Sequence, residues 1–152
     1  MKFGGSLLAV NDMATSKKFY SNILEQKVAL DLGVHISFAD GFSLQQNYAE
    51  LIGIDPATVL KKSNNSQLYF EVDDLDSWNN RLKSIGDIPY IHDIKEYAWG
   101  QRVIRVYDPD MHIVEIAESM ESVVKRFLSQ GLSVEETAKR SMYPIEFVKN
   151  CL

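Results

Sequence analysis

The chain is poor in the side chains that several functional classes require. Its 152 residues include one cysteine, Cys151, and three histidines, His35, His92 and His112. A lone thiol excludes an internal disulfide and fits a reducing compartment. No Ser-His-Asp or Cys-His arrangement can be assembled from the spacing, and no glycine loop of the phosphate-cradling type is present. No apolar run approaches the length needed to cross a bilayer. Basic residues are outnumbered 16 to 21, for a formal net charge of -5. That balance argues against broad, sequence-independent nucleic-acid binding and favours a small-molecule or protein partner. The first ten residues are apolar only as far as Asn11-Asp12 and lack a cleavage-type continuation. They are therefore not read as a signal peptide, and cytoplasmic residence is expected.

What is present is a repeat. Leu7-Leu8-Ala9-Val10-Asn11-Asp12-Met13 recurs as Tyr69-Phe70-Glu71-Val72-Asp73-Asp74-Leu75. In each copy an apolar strand ends in Val-x-Asp and leads into a helical pattern, with the same offset from the Asp to a terminal Ile, Ile23 or Ile85. One supersecondary unit has been used twice. With 45% hydrophobic and 24% charged residues, the chain reads as a soluble globular domain carrying a small appendage.

In the first unit a strand is expected over 3–10 and a helix over 14–24, with Phe19, Tyr20, Ile23 and Leu24 on one face. Strands follow at 28–32, 35–39 and 42–46, the last two joined as a two-residue hairpin across Asp40-Gly41. Residues 47–66 read as a partly helical connector, since Asp55-Pro56 is a helix-start signal. The second unit repeats the order: a strand at 67–72, a helix at 77–85, and strands near 90–94, 102–107 and 113–117. The turn Asp108-Pro109-Asp110 separates the last two.

Trp99-Gly100-Gln101-Arg102 followed by Tyr107-Asp108-Pro109-Asp110-Met111-His112-Ile113-Val114-Glu115 resembles the closing hairpin of the vicinal oxygen chelate superfamily, which includes glyoxalase, bleomycin-resistance proteins and extradiol dioxygenases. With the two Val-x-Asp units the resemblance spans 2–118. It implies an α+β fold of two βαβββ units, at about 1–53 and 66–118 within a domain of 1–118, whose curved sheets enclose a cleft.

Enzymes of that superfamily usually hold a divalent metal with four side chains, one from the first and one from the last strand of each unit. The resemblance places these positions at Gly5, Gln45, Gln67 and Glu115. Catalytic metal sites need basic or anionic donors, and this set offers one. Gly5 has no side chain, and Gln45 and Gln67 are neutral amides. A cleft without a functional metal is the expectation, and no other cofactor is implied. Glu115 is the candidate catalytic group, as a desolvated carboxylate serving as general base. Its plainer role is a carboxylate hydrogen-bonded by the amides of Gln45 and Gln67.

Strand alternation points Leu7, with Gly5 and Ala9, and Tyr69, with Gln67 and Glu71, toward the cleft. Tyr97-Ala98-Trp99 offers an aromatic wall for a flat or apolar ligand. Of the two strand-borne cations, Arg102 and Arg105, which lie on opposite faces, one can neutralise a ligand carboxylate. The candidates for ligand contact are thus Leu7, His35, Gln45, Gln67, Tyr69, Trp99 and Arg102. His92 reads as a loop-edge residue and His112 as solvated.

Residues 119–152 form a tail of three short helical segments, at 121–130, 134–140 and 144–152. Gly131 ends the first, Ser133 with Glu136 boxes the second, and Pro144 suits the first position of the third. The run resembles helix-turn-helix appendages of small bacterial proteins, but its last segment offers only Lys149 and Asn150 to a nucleic acid. Its apolar face is expected to pack on the domain or on a second copy. Three functions stay open: a metal-free small-molecule-binding protein, forming a homodimer and with no membrane partner; a metal-dependent lyase or isomerase using Glu115; and a ligand-responsive regulator acting through the tail.

Overall fold

The computed structural model describes residues Met1–Leu152, and the chain divides into two compact units. The first comprises Met1–Ser66 with Asp108–His112. Strand β1 (Ser6–Val10) leads into helix α1 (Met13–Lys18), which continues as a π-helical turn over Phe19–Ile23. Strands β2 (Val28–Asp31), β3 (His35–Phe38) and β4 (Phe42–Gln46) follow, and the sheet order is β1-β4-β3-β2 with β1 parallel to β4. One face of this sheet buries Val10, Ile36, Phe38, Phe42 and Leu44. Tyr20, fully buried, meets the Phe42 ring at 5.2 Å between centroids, and Phe42 stacks on Phe38 at 4.5 Å. Such aromatic pairs add directional ring contacts to the aliphatic core.

The repeated aspartate has a physical cause. Asp12 accepts the backbone N–H of Thr15 at 2.7 Å and Asp74 that of Ser77 at 2.9 Å. Each satisfies one of the orphan donors at a helix start. The Val-x-Asp signal is thus a strand followed by an N-cap.

After β4 come a one-turn helix α2 (Tyr48–Ile52) and a 3-10 turn over Pro56–Thr58, the latter capped by Asp55 on Ala57 N–H at 2.9 Å. The connector is partly helical, as its start signal implied.

The second unit comprises Gln67–Tyr107 and Ile113–Leu152. It contains β5 (Gln67–Val72), α3 (Leu75–Ile85), β6 (Tyr90–Glu96), β7 (Arg102–Tyr107) and β8 (Ile113–Glu118), in sheet order β5-β8-β7-β6. Both sheets therefore share one topology, and the fold is α+β with two βαβββ units. Ile104, Val106, Val114 and Ile116 are buried on the second sheet's inner face, as are Leu75 and Leu82 of α3, the helix in contact with β7 and β8.

The tail helices α4 (Met120–Ser129), α5 (Val134–Ser141) and α6 (Ile145–Asn150) belong to this second unit. Met120, Val123 and Phe127 cluster with Trp99, Leu132 and Phe147, while Val124, Ala138 and Val148 form a second cluster. Glu118, 2% exposed, fixes α4 at its root by accepting from Arg126 at 2.9 Å and from Arg102 at 3.2 Å.

Four local expectations are corrected. Registers of Ser37 with Ser43 and Ile36 with Leu44 leave three residues in the hairpin loop, with Gly41 at φ 88° donating its N–H to Phe38 C=O. This is the three-residue turn that a left-handed glycine closes. The first helix switches to π geometry at Phe19, and Leu24 N–H reaches back to Phe19 C=O. Pro144 is the N-cap of α6 rather than its first residue. Strand β1 begins at Ser6 rather than Phe3.

Candidate functional site

Side-chain alternation gives each sheet a face turned away from its aliphatic core, open at Leu7 on the first sheet and at Tyr69 on the second, where Val103 and Ala117 of the same face are buried. In the second unit Tyr69 pairs with Glu115, Glu115 with Arg105, and Arg105 with His92, so one row crosses all four strands. The row is wired by hydrogen bonds. Glu115, 6% exposed, accepts from Gln67 Nε2 at 2.8 Å and is ion-paired to Arg105. Arg105 Nε donates to Gln67 Oε1 at 3.2 Å, and Arg105 also donates to His92 Nε2 at 3.1 Å and to the Tyr97 hydroxyl. His92 Nδ1–H in turn donates to Asp93 C=O at 2.8 Å, which leaves Nε2 as the nitrogen facing Arg105. Burial opposes the Arg105 charge, but the bond to Tyr97 and the charge of Glu115 outweigh it, and the guanidinium is held cationic.

Tyr69 donates to Glu71 at 2.6 Å and accepts from Gln101 Nε2 at 3.1 Å. Its hydroxyl is pushed up to about 12, first by burial and then by the Glu71 bond, with Gln101 pulling the other way. It is a hydrogen-bonding group, not a proton donor near neutrality.

The remaining predicted residues fall elsewhere. Arg102 lies on the opposite face from Arg105, bonded to Glu118 and to Asp76 at 2.9 Å. It ties α3 to β7 and shares the Glu118 carboxylate of β8 with Arg126 of α4. Trp99 stacks on Tyr97 at 4.8 Å and donates its indole N–H to Gln101 at 3.1 Å, while its ring packs on the Met120 cluster. Trp99 therefore joins the tail core to the edge of the row.

In the first unit the open face carries Leu7, 41% exposed, with Ser43 and Ser37 in one row and Ala9, Gln45 and His35 in the next. His35 Nδ1–H donates to Gln45 Oε1 at 2.9 Å, and its Nε2 accepts from Ser37 Oγ at 3.0 Å. Gln45 Nε2 donates to the Gln46 carbonyl at 2.7 Å. Of the two amides expected on Glu115, Gln67 holds it beside Arg105, and the Gln45 amide bonds its own strand and His35. Three other readings change. Arg105 is the cation of the row. His92 lies on β6 against that cation. His112 is partly buried and bound to Asp108 at 2.9 Å.

The residues at the expected metal positions do not fit a divalent ion. At Gly5, φ is +132° and an added Cβ would lie 2.3 Å from the Gly41 carbonyl oxygen, which accepts Ser6 N–H at 3.1 Å. A side chain here would break the junction of β1 with the hairpin, so the position is closed to any ligand residue. Glu115 is already neutralised by Arg105. A guanidinium at that distance repels a divalent ion competing for the same oxygen. Nowhere do three or more His, Cys, Asp or Glu side chains gather so as to hold a metal.

Two sheets of this topology and the closing hairpin define a glyoxalase-like protein. The chain belongs to the Glyoxalase-like domain family, whose profile matches residues 3–121. It is similar to a protein of unknown function from Agrobacterium tumefaciens str. C58, at 33% identity over 78% of this chain and 94% of that one, with a TM-score of 0.68. A lactoylglutathione lyase from Agrobacterium tumefaciens aligns at 21% identity over 76% of this chain and 92% of that one, TM-score 0.59. A glyoxalase/bleomycin resistance protein/dioxygenase family enzyme from Burkholderia phytofirmans PsJN aligns at 12% identity over 78% and 98%, TM-score 0.67. The last two show the fold alone. No curated protein matches the chain.

Proposed function

We propose that the chain binds a small organic ligand without a metal, on the open face of the second sheet. The carrying observation is the Arg105–Glu115 ion pair at a position where the family's enzymes hold a metal. Arg105 spends four of its five N–H groups on Gln67, His92, Tyr97 and Glu115, and the remaining Nη2–H is suited to a ligand carboxylate or carbonyl oxygen, while Tyr97 stacked with Trp99 supplies a flat apolar edge. The Glu115 carboxylate is already taken up by Arg105 and Gln67, so binding is favoured over Glu115-driven enolisation.

The test is calorimetric titration of metal-stripped protein with nickel, zinc and manganese, followed by a thermal-shift screen of planar aromatic acids. No metal binding, with acid-induced stabilisation lost in Arg105→Ala, is the expected result. Tight one-to-one metal binding that disappears in Glu115→Gln overturns the reading and restores a metalloenzyme.

The chain is further proposed to act as a homodimer in the cytoplasm. Edge strand β2 and the turn after it expose Leu30, Leu32 and Val34 at 48%, 63% and 51%, an apolar strip that a second copy would cover. Sedimentation at several concentrations reads this out. No helix is long and apolar enough to cross a membrane. Two of the tail's cations are paired within the chain, Lys149 with Glu146 at 2.9 Å and Arg140 with Glu96 at 3.6 Å, which disfavours a DNA-contacting tail.

A further inference from the structure

The first unit contains a cavity of about 360 Å³, bounded by the end of β1, helix α2, the connector and the turn Asp108–His112. Its volume sits at the small end of the range of about 300–1,000 Å³ occupied by ligand pockets. Tyr48, Pro56, Val59 and Leu60 give it an apolar side. Leu60 is 70% exposed and Val59 38%, and both would lose water contact under a bound molecule.

His112 lines this cavity and is held there by a buried carboxylate. Asp108, 1% exposed, accepts four hydrogen bonds: His112 Nδ1–H at 2.9 Å, Tyr20 O–H at 2.7 Å, and the backbone N–H groups of Asp110 at 2.9 Å and His112 at 2.8 Å. That set fixes both the tautomer and the direction of the ring. Nε2 makes no hydrogen bond within the protein and is left as the ring's free donor. Burial opposes charge on the ring, but the bond to Asp108 and the charges of Asp108 and Asp110 outweigh it, so protonation extends above the usual histidine range.

The other charges of the lining do not compete for that role. Asp110 is taken up by Asn11 N–H at 2.9 Å and Ser16 O–H at 2.9 Å. Glu50 and Lys61 both lie exposed in the lining and offset one another in sign. The cavity thus combines one directed cationic donor with an apolar wall.

We propose that this cavity binds a compact organic monocarboxylate, its carboxylate accepting from His112 Nε2–H and its aliphatic or aromatic body lying on Tyr48, Pro56, Val59 and Leu60. The site is separate from the Arg105 row and stands whether or not that row binds a ligand.

The probe is benzoate, with benzamide as its uncharged counterpart, titrated into the isotope-labelled full chain and followed by methyl and imidazole NMR. At about pH 6 benzoate should produce saturable shifts at the Val59 and Leu60 methyls and the His112 ring nitrogens, with benzamide weaker by about tenfold. Near pH 9 that preference should vanish as the ring loses its proton. The groups that face the ring during this change are Asp108, Asp110 and, through Asp108, Tyr20, with Glu50, Lys61 and Tyr48 elsewhere in the lining.

His112→Gln should abolish the preference at about pH 6, whereas Arg105→Ala should leave it intact. Exposed Leu60→Asp, which leaves the Asp108 set untouched, provides a second variant that weakens benzoate about fivefold by like-charge repulsion. Scattered or unsaturable shifts, equal binding of benzamide, a preference unchanged at about pH 9, or wild-type benzoate binding by either cavity variant overturns the proposal.

Discussion

Single residues decide what chemistry this family member retains, and Gly5 is the clearest case. Its φ of +132° and the Gly41 oxygen 2.3 Å from any added Cβ make Gly5→His a destabilising change of about 3 kcal/mol or more. It is not expected to restore a metal ligand. Urea unfolding with a parallel zinc titration checks this, and a folded, zinc-binding Gly5→His would contradict it. Arg105 decides the second sheet. Removing it leaves the Glu115 carboxylate with Gln67 as its remaining partner, so Arg105→Ala should cost about 2 kcal/mol. In Arg105→Ala with Glu115→Gln most of that loss should be recovered, and a double-mutant cycle of denaturation midpoints measures the coupling. His112 writes a pH dependence. Its folded-state pKa lies above the ordinary value of 6.5, because Asp108 and Asp110 outweigh burial. The stabilisation is therefore complete below that ordinary value and is lost as pH rises through the raised one. The stability gap between wild type and His112→Gln should accordingly be larger at about pH 6 than at about pH 9, by chemical denaturation at both.

Elements were legible in the sequence where periodicity and caps agreed. β5 and β7 were readable to the residue because Gln67–Val72 and Arg102–Tyr107 are apolar runs bounded by turn signals. The capping box at Ser133 and Glu136 forms as its spacing implied. The candidate site was less legible, since it depends on which side chains meet across strands. β6 shifts register on both sides of His92, which blurs alternation there and made His92 look like a loop residue. Arg105 and Arg102 are alike in composition, and the sheet register distinguishes them by setting one opposite Glu115 and the other beside Glu118. Gly100 was legible in the sequence only as part of the Trp99-Gly100-Gln101-Arg102 motif, yet it lets the tail dock on the second sheet. An added Cβ there would lie 2.0 Å from Phe127 Cζ, and φ is +86°. Phe127 is fully buried and has nowhere to retreat. Gly100→Ala should therefore cost about 3 kcal/mol, appearing as a lowered melting temperature and new proteolytic sensitivity in α4. A variant as stable as wild type would show that α4 adapts to the added group.

At the scale of the whole chain, the two repeats have diverged in what they carry. The first sheet's open face carries His35, Gln45 and two serines bonded to one another, while the second presents the Arg105–Glu115 pair and carries the tail. Helix-turn-helix spacing in residues 119–152 invites the idea of a detachable module. The packing argues otherwise. Met120, Val123 and Phe127 are 7%, 0% and 0% exposed and cluster with Trp99 of the β6–β7 connection. At roughly 1.5–3 kcal/mol for each large side chain removed from water, that contact approaches the total stability of about 5–15 kcal/mol typical of a domain. Cutting the chain after Glu118 also removes Arg126, leaving Glu118 with Arg102 as its one cation. The truncated chain should consequently unfold or aggregate rather than survive as an intact sheet unit. Circular-dichroism melting and size-exclusion of a chain ending at Glu118 measure this directly. A monodisperse, cooperatively melting product would show that the second unit folds without its tail and would reopen the tail as an independent interaction module.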